Sequence, residues 1–257
     1  INVGENTTAV TTVTATDADL PTQTLTYSIS GGADAARFTI NATTGALSFV
    51  AAPDYEAPTD IGADNVYDVT VLVSDGTSSD TQAIAVTVTA ADDNAPVITS
   101  NGAGATAGVS VGENTAAVTT VAATDADLPA QTLTYSITGG ADAARFAIDA
   151  ATGALSFVTA PDYEAPTDNG ADNVYDVVVQ VSDGTSSDTQ AIAVTVTSTD
   201  DNAPVITSNG AGTTASINVG ENITAVTTVT ATDADLPAQT LTYSISGGAD
   251  AARFTID

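Results

Sequence analysis

Apolar side chains recur at every second position along this chain, in short runs separated by glycine, proline, asparagine or aspartate. A period of two is the signature of half-buried β-strands. Within residues 95–202 the runs are "PVITS" and "GVSV" for a divided first strand, then "AAVTTVAA", "TLTYSIT", "RFAID", "ALSFV", "VYDVVVQVS" and "AIAVTVT". Tyr175, Val177, Val179 and Val181 share one face of the sixth strand, and Ile192, Val194 and Val196 one face of the seventh. Gly112, Pro129, Gly153, Pro161, Pro166 and Gly184 fall between the runs, where turns need them. No helical stripe of useful length interrupts the pattern. An all-β fold follows: immunoglobulin-like Greek-key β-sandwiches of about seven strands each.

The pattern repeats. "VGEN" starts at 3, 111 and 219, and "ATDADLP" at 15, 123 and 231, always 108 residues apart. Residues 1–94 and 109–202 differ at 15 of 94 aligned positions. This predicts a repeat lacking its first strand (1–94), a complete repeat (95–202) and the N-terminal half of a third (203–257). The chain is expected to be a segment of a longer protein. Disorder is expected in 203–257 when nothing supplies the last three strands.

Composition changes the picture through charge. There are 32 acidic residues against three Lys and Arg together, with no histidine and no cysteine, a net charge of −29. Such a chain is repelled by nucleic acid and by anionic membrane surfaces. Without cysteine there is no disulfide or thiolate metal site. Without histidine, lysine or cysteine, the usual bases and nucleophiles of catalysis are missing, so the chain is expected not to be an enzyme. No run approaches the roughly 18 apolar residues of a membrane span.

The acids are not spread evenly. If successive strands run antiparallel, connections alternate between the two ends of each sandwich. Glu113, Asp162, Glu164, Asp200, Asp201 and Asn202 then fall at one end of the complete repeat, and Asp125, Asp127 and Asp183 at the other. Where one repeat leads into the next, Glu5, Asp54, Glu56, Asp92, Asp93 and Asn94 face Asp125, Asp127 and Asp183. The following joint gathers Glu113, Asp162, Glu164, Asp200, Asp201, Asn202, Asp233 and Asp235; Asp17, Asp19 and Asp75 lie at one open end and Glu221 at the other. Pairs two apart, such as Asp125 with Asp127, project to one side of an extended chain, with α-carbons roughly 7 Å apart. Two carboxylates about 5 Å apart repel by roughly 3 kcal/mol at an effective dielectric near 20. Hard oxygen donors without histidine or cysteine suit Ca²⁺ better than Mg²⁺, which demands a tighter octahedron. The "DDNAP" linkers are therefore expected to belong to metal sites. Asp142, Asp172, Asp176 and Asp188 fit no cluster and are expected at the solvated surface. Arg37, Arg145 and Arg253 are expected to pair locally with Asp34, Asp142 and Asp250.

In this order the residues resemble the cadherin repeat, which has a glutamate in its first connection, a DxD, a DxE, an aspartate near the last turn and a DxNDN linker before a proline. The matching residues are Glu5, Asp54, Glu56, Asp92, Asp93, Asn94, Asp125, Asp127 and Asp183, and "FAIDAATGALSF" is similar to the family's middle strands. The linker departs from the pattern: Ala90 and Ser198 replace its leading aspartate, and Asp92 and Asp200 its first asparagine. The resemblance implies about two to three Ca²⁺ per joint, held by oxygen ligands. The near-identical Ala/Thr/Val/Asp-rich copies look more like the cadherin-like repeats of giant bacterial surface adhesins than animal cell–cell cadherins. The function implied is a calcium-rigidified stalk segment of an extracellular, cell-surface adhesin or filament, partnered by neighbouring repeats. The alternative is a module that binds surface glycans or like repeats through its sheet faces.

Overall fold

The computed structural model describes residues 1–257. The chain divides into two compact units. One joins 1–97 with 124–133 and 182–188; the other joins 98–123, 134–181 and 189–257.

The first unit holds β1 (Asn2–Gly4), β2 (Ala9–Thr12), β3 (Thr26–Gly31), β4 (Phe38–Ile40), β5 (Ala46–Phe49), β6 (Val66–Ser74) and β7 (Ser79–Thr89). One sheet has the order β1-β7-β6-β3 and the other β2-β5-β4. Only β1 with β7 is parallel, from Asn2 opposite Thr87 to Gly4 opposite Thr89. The rest pair antiparallel, as the alternating connections required. In β6 the inward Tyr67, Val69 and Val71 are buried, while Asp68 between them is exposed. The core they share with Phe38, Leu47, Phe49, Val86 and Val88 closes the two sheets on each other. Phe38 stacks on Phe49, and the ring of Tyr67 meets Phe49 edge-on at 5.1 Å. The Tyr67 hydroxyl leaves this core to accept the N–H of Thr59, tying the loop that precedes β6 to the barrel of side chains beneath it.

The second unit repeats the design. Two-residue strands β8 (Val97–Ile98) and β11 (Ala123–Thr124) flank β9 (Thr106–Gly112) and β10 (Ala117–Thr120). β12 (Thr134–Gly139), β13 (Phe146–Ile148), β14 (Ala154–Phe157), β15 (Val174–Ser182) and β16 (Ser187–Thr197) follow. The sheets are β12-β15-β16-β9 and β10-β14-β13. β9 runs parallel to β16 from Thr106 opposite Ala191 to Gly112 opposite Thr197. Tyr175, Val177, Val179, Val181, Ile192, Val194 and Val196 are all buried, the two faces expected from alternation. Gly153 turns with φ +70°, and a Cβ there would meet the carbonyl oxygen of Val121, so only glycine fits that turn.

Residues beyond 202 carry only β17 (Val205–Ile206) antiparallel to β18 (Ala231–Thr232) and a 3-10 turn, Ala251–Arg253. The stretches matching β10, β12 and β13 form no strands there. Ile217, Val219, Ile223, Val226, Ile245 and Phe254 are accordingly exposed.

Two expectations about acids are corrected. Asp142 is not solvated: it is 5% exposed, and its carboxylate accepts the N–H groups of Asn169 (2.7 Å) and Asp176 (2.9 Å). Asp34 does the same for Ile61 and Asp68. Backbone amides occupy these carboxylates, so the local ion pair is found only in the exposed third segment, where Arg253 lies 3.6 Å from Asp250. Asp60 and Asp168 are also buried and were not anticipated. Burial disfavours their charge, but the N–H groups of Asp64 and Asn65, or of Asp172 and Asn173, outweigh it and hold both carboxyls below the usual range.

The sign of the pH effect follows. A depressed folded-state pKa stabilises the fold above the unfolded value, about 3.9 for aspartate, and that stability is lost as pH falls through the folded value. Denaturant midpoints recorded from neutral pH downward are predicted to drop below about pH 4. Asp168→Asn is expected to flatten the drop. A variant that keeps the full acid limb would remove Asp168 from the explanation.

Candidate metal centre

The register of the parallel pair sets the site. Glu5 follows β1 directly, and its N–H continues the ladder by donating to the Thr89 carbonyl at 3.1 Å. That places its carboxylate beside the chain leaving β7. Oε1 accepts the N–H of Ala91 (2.6 Å) and Oε2 that of Tyr55 (2.7 Å), and Glu5 is 5% exposed. One buried carboxylate thus joins the linker to the loop carrying Asp54 and Glu56.

The pairs spaced by two are not extended, contrary to the expectation. Asp54 Oδ1 accepts the N–H of Glu56 (3.0 Å) and Ala57 (3.1 Å), and Asp125 Oδ1 accepts the N–H of Asp127 (3.1 Å). Each is a turn closed by an aspartate on the backbone two residues on, a local hydrogen bond that short polar side chains offer in place of an extended path. Asp183 behaves likewise, accepting from Thr185 and Ser186. Each turn uses one carboxylate oxygen and leaves the other.

Part of the set comes together, while Asp125 and Asp183 fall in no group of three carboxylates. Glu5, Asp54 and Glu56 have carboxylate oxygens within 4.8 Å of one another, and so do Glu56, Asp93 and Asp127. Glu56 belongs to both groups, and its Oε1 accepts the N–H of Leu128 at 3.0 Å. Asp127, 2% exposed, accepts both the backbone and side-chain N–H groups of Asn94. Asn94 also donates to Asp93, the Asn6 side chain donates to Asp93, and the Thr185 hydroxyl donates to Asp92. All these residues belong to the first unit. The second unit has an equivalent set. Glu113, Glu164 and Asp201 lie within 4.8 Å, Asn202 donates to Asp235, and Leu236 N–H donates to Glu164. Asp162 closes its turn on Glu164, and Asp233 on Asp235. Asp17, Asp19 and Asp75 form a further group, whereas Glu221 is exposed and joins none. Asp200 is exposed beside Asp201.

The donor set fits a hard cation. Glu56 Oε2, Asp125 Oδ2, Asp183 Oδ2 and Glu164 Oε2 are buried and accept no hydrogen bond. Bare buried carboxylate oxygens are costly unless a cation meets them. Every donor contacting these carboxylates is a neutral amide or hydroxyl. The consequences diverge by residue. Burial, opposed by the Leu128 N–H and reinforced by the Glu5 charge, pushes Glu56 above the usual carboxylate range. The Asn94 side chain holds Asp127 below it, and Asn202 does so for Asp235. Asn6, Asn114, Gln131 and Thr185, which orient the cluster, escaped the sequence reading; their recurrence every 108 residues was the available signal.

Comparison with known proteins identifies the family. The family model of the cadherin domain matches residues 1–90 and 108–197. Human protocadherin Fat 1 is 32% identical over 273 residues, covering 100% of this chain and 6% of that protein. Mouse protocadherin Fat 4 is 37% identical over 203 residues, covering 76% of this chain and 4% of that protein. The chain therefore spans only a small fraction of these relatives. Among solved structures, human CDH23 EC21-23 superposes with a TM-score of 0.61 at 21% identity, covering 91% of this chain and 83% of that one. The protocadherin γB4 extracellular domain gives 0.52 at 23%, covering 82% and 34%. No helix is long and apolar enough to cross a membrane. With two tandem domains matched and the same sandwich in the solved relatives, the chain is an extracellular, cell-surface segment belonging to the cadherin family.

Proposed function

We propose that this chain is a non-enzymatic stalk whose carboxylate clusters hold Ca²⁺ and thereby fix each repeat against the next. The observation that carries this reading is that Glu56 from the loop, Asp93 from the linker and Asp127 come within 4.8 Å of one another, with Glu56 Oε2 buried and accepting no hydrogen bond. Glu5, Asp54, Glu56, Asp92, Asp93 and Asn94, with Asp125, Asp127 and Asp183, are the proposed ligands of the first joint. Glu113, Asp162, Glu164, Asp200, Asp201, Asn202, Asp233 and Asp235 are those of the second. Asp17, Asp19 and Asp75 offer part of another set. When bound, Ca²⁺ supplies the positive charge that these groups lack, at about two to three ions per joint.

The chain's own part is positioning. Glu5 ties linker to loop, Asn94 ties linker to Asp127, and the closed turns of Asp125 and Asp183 leave each second oxygen buried and without a donor. Metal-free, the same groups repel, so the joint is expected to bend freely. Small-angle scattering with increasing Ca²⁺ tests this, and extracellular modules often need Kd values of roughly 10⁻⁴ to 10⁻³ M, so the series must pass millimolar. The expected result is an increase in radius of gyration with narrowing of the distance distribution. An unchanged profile across the series would remove the stalk mechanism.

A further inference from the structure

We infer that Asn65, and its counterpart Asn173, is a positioning residue for the metal cluster, acting through the peptide between two ligands; this rests on the function proposed above. Asn65 is 9% exposed and sits at φ +63°, a left-handed conformation that asparagine tolerates better than most side chains. Its backbone is held at both ends. Its N–H donates to buried Asp60 (3.2 Å), and its carbonyl accepts from Val88 on β7 (2.8 Å). From this fixed base the side-chain amide donates to the carbonyl of Tyr55 at 2.9 Å.

Tyr55 lies between Asp54 and Glu56, and its own N–H donates to Glu5 at 2.7 Å. One side-chain amide therefore pins the short segment from which three carboxylates of one group are organised. The neighbouring Pro53 carbonyl is held separately, by the N–H of Asn6 at 2.9 Å. Every link recurs in the second unit. Asn173 has φ +64°, accepts Val196, donates to the Tyr163 carbonyl at 3.0 Å, and Tyr163 donates to Glu113 at 2.8 Å. The other amide atom, Oδ1, is buried without a donor in both copies. What the asparagine uniquely contributes is the donor facing Tyr55 or Tyr163.

Asn65→Gly separates these roles. Glycine keeps the left-handed backbone and both backbone bonds, and removes the Tyr55 contact together with the bare oxygen. Asn65→Asp keeps the volume but cannot donate to a carbonyl. The full chain is titrated with CaCl₂ while amide NMR shifts are followed at Leu128, bonded to Glu56, and Leu236, bonded to Glu164. Both variants are expected to weaken Ca²⁺ binding reported by Leu128 about tenfold or more, as loss of an outer partner of a metal ligand does. Leu236 should titrate as in the wild type, and the metal-free unfolding midpoint of Asn65→Gly should stay close to the wild-type value. Asn173→Gly should show the reverse pattern. Wild-type affinity at Leu128 in both variants would overturn the positioning role alone. Parallel weakening at both reporters with a lowered metal-free midpoint would overturn it in favour of general destabilisation. A wild-type chain that shifts at neither amide would remove the proposed function, and this inference with it.

Discussion

Chelating divalent cations is expected to lower the thermal unfolding midpoint by roughly 10–20 °C for each site that about 10 mM Ca²⁺ fills to about 100 times its Kd. The size follows from linkage. A ligand at about 100 times its Kd stabilises the state that binds it by about 2.7 kcal/mol per site, and each kcal/mol moves the midpoint of a domain of about 100 residues by roughly 4–8 °C. The sign follows from the cluster: Glu5, Asp54 and Glu56 bring like charges within 4.8 Å, with neutral donors as their contacts. NaCl supplies the control. Exposed charges separated by more than about 10 Å are screened in 0.1 M salt, whereas partly buried groups are screened much less. Matched ionic strength should therefore recover only a small part of the loss. Full recovery by NaCl would reduce the acids to ordinary surface charge.

The second large effect is expected at Glu56, the carboxylate common to two groups. Glu56→Gln should weaken Ca²⁺ binding at the first cluster by more than the roughly 10–100-fold typical of partners outside the ligand shell. Burial and the Glu5 charge already disfavour ionised Glu56, while the Leu128 N–H bond survives in a glutamine. In chelator the same substitution should therefore raise the unfolding midpoint. Opposite signs with and without Ca²⁺ distinguish a ligand from a structural carboxylate. Melting curves of the two proteins in both buffers are sufficient, and a loss of stability in both would count against Glu56 as a ligand.

Much of this architecture was legible in the sequence because the signals were local and repeated. Alternation in "VYDVVVQVS" marked the buried face of β15, and the period of 108 residues marked the tandem order. The ends at which carboxylates gather followed from antiparallel connectivity, which the paired strands obey. Other features depended on backbone hydrogen bonding that alternation does not encode. Asp142 read as surface because it fits no cluster of acids, yet two backbone amides from distant segments bury it. The spacing of Asp125 and Asp127 suggested an extended stretch, but a carboxylate two residues before an N–H closes a turn instead. Asn65 gave no sign of its role, since its contact to Tyr55 exists only after the loop from 60 to 65 has folded around Asp60.

The central claim, that the carboxylate clusters are calcium sites, is tested most directly by crystals of this chain grown in about 10 mM Ca²⁺, a concentration above the range such modules require. Anomalous difference maps at long wavelength are predicted to show peaks among Glu5, Asp54 and Glu56, among Glu56, Asp93 and Asp127, and among Glu113, Glu164 and Asp201. Well-ordered carboxylates at these positions with no anomalous signal between them would contradict it.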